Sequence, residues 1–139
     1  MSKTLLGYAD FTHVEGMTDY MNITINYVNQ LGSQLDILDV PAGNGLVVDR
    51  LKALGHNAIG GDINDARDGF VRVNMEKPFP FEDCSFDAIT CLEGIEHVLD
   101  GYKLLAEMVR TLRPGGTLVV STPNVMNVYS RFWYFLYGY

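Results

Sequence analysis

Short apolar runs alternate with amphipathic helical patterns along this chain, and this alternation constrains the fold more than any other feature. Asp36–Val40 has the composition of a buried strand, and Tyr102–Leu112 places its apolar residues at helical spacing. The same patterns predict further strands at 57–61, 70–73, 86–91 and 117–122 and further helices at 17–31 and 46–54. Strands and helices that alternate form a parallel sheet with helices on its faces. The sequence therefore predicts an α/β, Rossmann-like three-layer sandwich around a mainly parallel five-stranded sheet.

One connection is too short for this scheme. Only Ile63–Gly69 lies between the second and third predicted strands, whereas a parallel crossover takes about a dozen residues or more. We expect a single turn or a degenerate helix there. The last predicted helix has a clear end, because Arg113-Pro114-Gly115-Gly116 stops it before the fifth strand. The expected buried face of that helix consists of Leu104, Leu105, Met108, Val109 and Leu112.

The length of 139 residues fits one domain. We divide it into an N-terminal arm and helix at 1–35, a core at 36–124 and an aromatic tail at 125–139. The formal charge of -7 argues against a nucleic-acid partner, because phosphate binding needs clustered cations. No apolar run approaches the ~20 residues that span a bilayer, and the start does not resemble a secretory signal. Cys84 and Cys91 match no metal or disulfide spacing, so we expect a cytoplasmic protein.

A glycine turn, Gly43-Asn44-Gly45, separates the first strand from the following helix. Such a turn is typical of tight structural connections, but it also lets a ligand approach the backbone and the helix N-terminus. Asp62 favours the second interpretation, because it follows the second strand where a carboxylate accepts the hydroxyls of a ribose. Val48 stands where a dinucleotide fingerprint needs a third glycine, and Asp39 would repel phosphate. S-adenosylmethionine, which is cationic and has no phosphate, is therefore the predicted cofactor.

Four stretches carry a family resemblance. They are 39–45 (DVPAGNG), 60–63 (GGDI), 78–90 (PFPFEDCSFDAIT) and 112–124 (LRPGGTLVVSTPN). In this order and spacing, the chain from about 36 to 124 resembles the class I S-adenosylmethionine-dependent methyltransferases of the methyltransferase-11 type. The resemblance implies the sheet order 3-2-1-4-5 in a chain that lacks the usual last two strands.

The same resemblance implies roles for individual residues. Asp39 would lie near the methionine end of the cofactor, Asp62 would hold the ribose, and Asn74 would meet the adenine amino group. The remaining implied contacts are Ala42, Gly43 and Gly45 in the turn below the cofactor, Ile63 and Met75 beside the adenine, and Leu92 at the methionine moiety. Two residues depart from the family pattern, since Pro41 replaces the usual first glycine and Asn74 lacks a charge.

The segment after the fourth strand carries Glu93, Glu96 and His97. On a helix these residues would share one face, where they would act in catalysis by holding a divalent cation or with His97 as a general base. The spacing resembles that of quinone-type O-methyltransferases and small-RNA 2′-O-methyltransferases. Structural roles are the alternatives, with Glu96 capping a helix and His97 hydrogen-bonded to neighbours. We predict no resident metal.

The methyl acceptor is the least constrained part of the function. The tail after Pro123 resembles methyltransferases of glycan pathways, so we expect a hydroxyl group on a small molecule or glycan. The alternatives are a nicotinamide-dependent oxidoreductase and a truncated, non-catalytic module that acts through a partner chain. We also expect a homo-oligomer, formed through the fifth strand and the aromatic tail. His56 is expected at the surface, and Cys91 is expected to be buried.

Overall fold

The computed structural model of the protein describes residues 16–123. The strands are β1 (Asp36–Asp39), β2 (Asn57–Asp62), β3 (Phe70–Arg72), β4 (Phe86–Leu92) and β5 (Leu112–Ser121). The helices are α1 (Asp19–Leu31), α2 (Leu46–Ala53), α3 (Gly101–Thr111) and a short 3₁₀ helix, Ile95–His97. The five strands are parallel and lie in the order β3-β2-β1-β4-β5, which confirms the predicted class and strand order. Most of the N-terminal arm and all of the aromatic tail lie outside the described residues, so the proposed division of the chain stays a prediction.

Two apolar clusters lie on opposite faces of the sheet. Ile37 on β1 packs in the cluster formed with α1 and α2, and Leu38, the next residue, packs in the cluster formed with α3. This alternation follows from the strand geometry, because successive side chains point to opposite faces. A parallel sheet needs both faces covered, and the helices on either side provide the cover.

The connection between β2 and β3 forms bends and a turn, and it contains no helix. Arg67 in this connection contacts both β3 and α2. The Arg67 guanidinium lies 5.5 Å from the centroid of the Phe70 ring. It also forms an ion pair of 2.5 Å with Asp49, in the first turn of α2. The prediction of a turn is therefore confirmed, and Arg67 links the turn to α2.

β5 begins earlier than predicted. It starts at Leu112, directly after α3, because Leu112 pairs with Phe86 on β4. Regular pairing resumes only at Thr117, opposite Ala88, so residues 113–116 form an irregularity within the strand. Arg113 holds this irregularity in place through ion pairs with Asp36 at 2.9 Å and Asp87 at 2.7 Å.

Two predictions about burial were wrong. His56 is buried, because its ring lies between α1 and the start of β1: Nδ1 accepts the Leu35 N–H at 3.3 Å, and Nε2 lies 3.0 Å from Asn29 Oδ1. Val109 is 61% exposed, because it lies at the margin of the face that α3 turns towards the sheet. The expected burial of Cys91 is confirmed. None of the helices within residues 16–123 is long and apolar enough to cross a membrane.

Candidate functional site

Asp62 joins the ends of the first two strands at the carboxyl edge of the sheet. Its Oδ2 accepts the N–H of Gly43 at 2.9 Å, and its Oδ1 accepts the N–H of Asn64 at 3.0 Å. Ligands of open α/β sheets bind at this edge. The carboxylate predicted to hold a ribose therefore also holds the glycine turn in position.

The two glycines of the turn have different surroundings. Gly43 has a φ of 52°, and a Cβ at this position would meet nothing within 4 Å, so open space lies beside it. Gly45 faces Arg67 and Phe70, and a Cβ there would collide with both. The Arg67 guanidinium also donates to the carbonyl oxygen of Asn44. Of these two glycines, Gly43 is thus the one beside which a ligand has room.

Ala42 and Leu92 are buried in the cluster formed with α1 and α2. The Ala42 N–H donates to the Gly61 carbonyl oxygen at 3.0 Å, which ties the turn to β2. Any contact of these two residues with a ligand therefore comes from the backbone, because their side chains pack in the core.

Asn74 and Met75 follow β3, whose end is tied to β2 by a hydrogen bond of 2.8 Å from the Val73 N–H to the Asp62 carbonyl oxygen. Asn74 Oδ1 accepts the Glu76 N–H at 2.9 Å, so this side chain stabilises its own turn. Met75 lines a cavity of about 180 Å³ between this segment and α3. Ile63 is half-buried directly after Asp62. The residues predicted to lie beside the adenine are thus at the same edge as Asp62.

Asp39 is a buried carboxyl group, 2% exposed, at the end of β1. Thr90 is its register partner on β4, and the Thr90 hydroxyl donates to Asp39 Oδ1 at 2.6 Å. Burial raises the pKa of Asp39 from 3.8 to about 7; the Thr90 hydrogen bond lowers it, and the charge of Asp62 raises it further. Sequence reasoning did not identify Thr90. Its signal is a hydroxyl residue between the apolar residues Ile89 and Cys91 of a buried strand.

The segment after β4 departs from the predicted arrangement. Glu93 has a φ of 53°, in the left-handed region, and precedes the 3₁₀ helix Ile95–His97. The prediction that Glu93, Glu96 and His97 share a helical face is therefore wrong. Glu93 turns towards β5 instead: its N–H donates to the Ser121 carbonyl oxygen at 3.1 Å, and its Oε1 accepts from the Ser121 hydroxyl at 3.4 Å.

Glu96 and His97 are exposed on the short helix. The His97 N–H donates to the Gly94 carbonyl oxygen at 3.0 Å. Within residues 16–123, no group of three or more His, Cys, Asp or Glu side chains is arranged to hold a metal ion. The general-base interpretation of His97 stays a prediction, and the metal-holding interpretation has no ligand set in this part of the chain.

At Gly94, the turn that follows β1 contacts the segment that follows β4. We call these two parts the two halves of the candidate site. A Cβ at Gly94 would lie 2.4 Å from Pro41 Cδ and 3.1 Å from Cys91 Sγ. The Pro41 ring, which replaces the usual first glycine of the turn, therefore packs directly on the backbone of the segment after β4. Neither residue indicates this contact by its type alone, and sequence reasoning did not predict it.

Comparison with known proteins identifies the sequence family. Residues 38–120 match the model of a methyltransferase domain. A demethylmenaquinone methyltransferase of Clavibacter sepedonicus is 36% identical over 105 residues, which cover 64% of this chain and 42% of the relative. A ubiquinone biosynthesis O-methyltransferase of Alkalilimnicola ehrlichii is 28% identical over 123 residues, which cover 76% of this chain and 50% of the relative. The chain thus spans half or less of the length of these relatives.

A solved structure shows the same fold. It is the 1,6-didemethyltoxoflavin-N1-methyltransferase of Burkholderia thailandensis, with bound 1,6-didemethyltoxoflavin and S-adenosylhomocysteine. The TM-score is 0.64 at 20% identity, over 73% of this chain and 51% of that one. At this identity the similarity concerns the fold.

Proposed function

The chain belongs to the methyltransferase domain family, and from this premise we propose that it transfers a methyl group from S-adenosylmethionine. One observation carries the proposal: the Asp62 carboxylate, bonded to the Gly43 N–H at 2.9 Å, lies beside open space at the carboxyl edge of the sheet. A carboxylate in this place suits the two hydroxyls of a ribose.

The other residues of this edge fit the same cofactor. Asp39 and the backbone of Ala42 and Leu92 would lie towards the amino-acid end, and Ile63, Asn74 and Met75 would lie towards the adenine. When bound, S-adenosylmethionine supplies a methyl group on a positively charged sulfur. The chain's own contribution is to position the acceptor, exclude water and accept a proton.

We propose a hydroxyl oxygen of a small molecule or glycan as the acceptor atom, with His97 as the general base. His97 is exposed on the short helix after β4, at the edge of the sheet that also carries Asp39 and Asp62. A relative named for an O-methyltransferase of ubiquinone biosynthesis supports oxygen as the acceptor. Glu93 and Glu96 are proposed to orient the acceptor, Glu93 from its position beside Ser121.

Calorimetric titration with S-adenosylhomocysteine, with NAD as the comparison ligand, tests the cofactor. We expect S-adenosylhomocysteine to bind and NAD to give no heat. Asp62→Ala is expected to lower the affinity for S-adenosylhomocysteine at least about tenfold, because hydrogen bonds to a charged group contribute about 1.5–3 kcal/mol each. Asp68→Ala, an exposed carboxylate of the same connection, is the matched control. An unchanged affinity in a folded Asp62→Ala protein would contradict the ribose assignment.

A second candidate is a module that acts through a partner chain. β5 lies at one end of the sheet formed by the described residues, and only its β4 side is paired there. Because an unpaired strand edge favours pairing with another strand, we propose self-association through β5. The aromatic tail, predicted to take part, lies outside the described residues. Sedimentation at micromolar concentration is the test: a 15.5 kDa monomer contradicts self-association, and methyl transfer to any acceptor contradicts a purely non-catalytic role.

We propose the cytoplasm as the location of the protein. Both cysteines are free thiols, and Cys84 is exposed. An exposed free thiol is typical of a reducing compartment. Fractionation of cells that express the chain tests this proposal, and recovery with the membrane pellet would contradict it.

A further inference from the structure

Asp39 is buried without a positive partner among the described residues. The ion pairs within residues 16–123 use other carboxylates, and none includes Asp39. Its Oδ1 accepts the Thr90 hydroxyl at 2.6 Å, which is the hydrogen bond that the structure gives this side chain. A buried and unpaired carboxylate is unfavourable by several kcal/mol, so the neutral acid is favoured.

The groups that face Asp39 from the neighbouring elements supply no compensating charge. Asp62 at the end of β2 is itself acidic and raises the pKa of Asp39. On β4, burial raises the pKa of the Cys91 thiol to about 12, with the Asp39 charge adding to the effect, so this thiol is neutral. The charged residues of α2 are exposed to solvent and comprise Asp49, Arg50 and Lys52.

We propose that Asp39 carries a proton while the site is empty and releases it when the cationic amino-acid end of S-adenosylmethionine binds. This inference rests on the proposed function. The ammonium and sulfonium groups of the ligand bring a positive charge that residues 16–123 do not place beside this carboxyl, and an opposite charge within a few ångströms favours the ionised form. Asp39 then acts as the residue that senses ligand charge, and cofactor binding is coupled to proton release.

The coupling has a defined pH range. With a pKa of about 7 in the empty protein, binding at pH 6 is expected to release about 0.9 proton per site, and binding at pH 8.5 almost none. The affinity for S-adenosylmethionine is expected to rise about fivefold from pH 6 to pH 7, because a growing fraction of the empty protein is already ionised while the amino group of the ligand stays mostly protonated. The amino group of the ligand stays protonated at pH 6 and adds nothing to the release measured there.

Calorimetry at pH 6 in buffers of different ionisation enthalpy measures the released protons directly. The two ligands are S-adenosylmethionine and 5′-methylthioadenosine, which keeps the nucleoside and lacks the amino-acid part. We expect a buffer-dependent enthalpy for the first ligand and a buffer-independent enthalpy for the second. Asp39→Asn should abolish the dependence, whereas Asp19→Asn, which changes an exposed carboxylate of α1, should leave it intact. Thr90→Val removes the hydrogen bond that lowers the pKa of Asp39, so the release should extend to higher pH.

Each outcome separates this inference from the proposed function. A buffer-independent enthalpy for S-adenosylmethionine would overturn the inference and leave cofactor binding established. Proton release that persists in Asp39→Asn would overturn it as well, because another group would then be the source. No binding of either ligand would overturn the proposed function together with the inference. If Asp39→Asn does not fold, two measurements still test the inference. They are the difference in proton release between the two ligands and the shift of the pH range of release in Thr90→Val.

Discussion

The two halves of the candidate site are built differently. At the ends of β1 and β2, hydrogen bonds of 3.0 Å or less join Gly43 and Asn64 to the Asp62 carboxylate and Ala42 to β2. After β4, Glu93 adopts a left-handed backbone conformation and one short 3₁₀ helix follows, whose Glu96 and His97 side chains are exposed. The first half is preorganised by its own backbone, and the second is a short exposed segment. This difference suits a family whose members share a cofactor and are named for different methyl-transfer reactions.

The largest expected effect concerns the exposed half. His97→Ala should lower the rate of methyl transfer by about 10²–10⁴-fold, the usual contribution of a general base, because no other proposed group accepts the proton. The affinity for S-adenosylhomocysteine should stay unchanged. Transfer of a labelled methyl group to catechol, a simple hydroxylated probe, gives the rate, and Lys52→Ala on α2 is the control. Equal losses of rate and cofactor affinity would show that His97 acts in cofactor binding. Inhibition by a chelator would contradict the proposal that His97 acts as a base without a metal.

The next effect concerns the stability of the preorganised half. Because the pKa of Asp39 rises from 3.8 to about 7 on folding, the folded protein keeps a proton that the unfolded chain loses. The contribution of this proton to the unfolding free energy is fully present below about pH 4 and is lost as the pH rises through 7. The loss is on the order of 4 kcal/mol. Asp39→Asn has no such dependence, so the unfolding free energy of the wild type should fall relative to that of the variant by about this amount from pH 4 to pH 8.

Urea unfolding of both proteins across this range is the measurement. Other carboxylates have the opposite sign: Arg113 lowers the pKa of Asp87, and Arg110 lowers that of Glu107, so their stabilisation is lost as the pH falls. These contributions are common to both proteins and cancel in the difference. A difference that stays constant with pH would contradict the assigned titration of Asp39.

The smallest effect tests the contact between the two halves. Gly94 has a φ of -120° and a ψ of -39°, which alanine also adopts, so the obstacle to Gly94→Ala is the Pro41 ring 2.4 Å from the new Cβ. We expect a loss of about 1–3 kcal/mol in unfolding free energy, as for other overpacked sites. Gly16→Ala, where a Cβ meets nothing within 4 Å, is the control. In a Pro41→Gly background, Gly94→Ala should lower the unfolding free energy much less. An equal loss of unfolding free energy in both backgrounds would show that the Pro41 ring is not the obstacle.

Local patterns predicted a large part of this architecture correctly. The limits of α2 and β2 to within one residue, the turn in place of a helix at 63–69, and the position of Asp62 at the end of a strand all follow from apolar periodicity and turn-forming residues. The errors have a different origin. The early start of β5 comes from the pairing of Leu112 with Phe86, and the burial of His56 comes from hydrogen bonds to Leu35 and Asn29. Such contacts depend on which segments meet, and a pattern within one segment does not contain that information.

Residues close in the chain, together with the family motif, were enough to predict the α/β class, the strand order and the glycine turn with its acidic partner. Three contacts are visible only once the chain is folded: Thr90 meets Asp39 from 51 positions away, Pro41 packs on Gly94, and Arg67 covers Gly45. They follow from strand register and from the lack of a crossover helix between β2 and β3. Alternation of side chains assigns a residue to a face of the sheet, but only the packed sheet decides which residue lies opposite it.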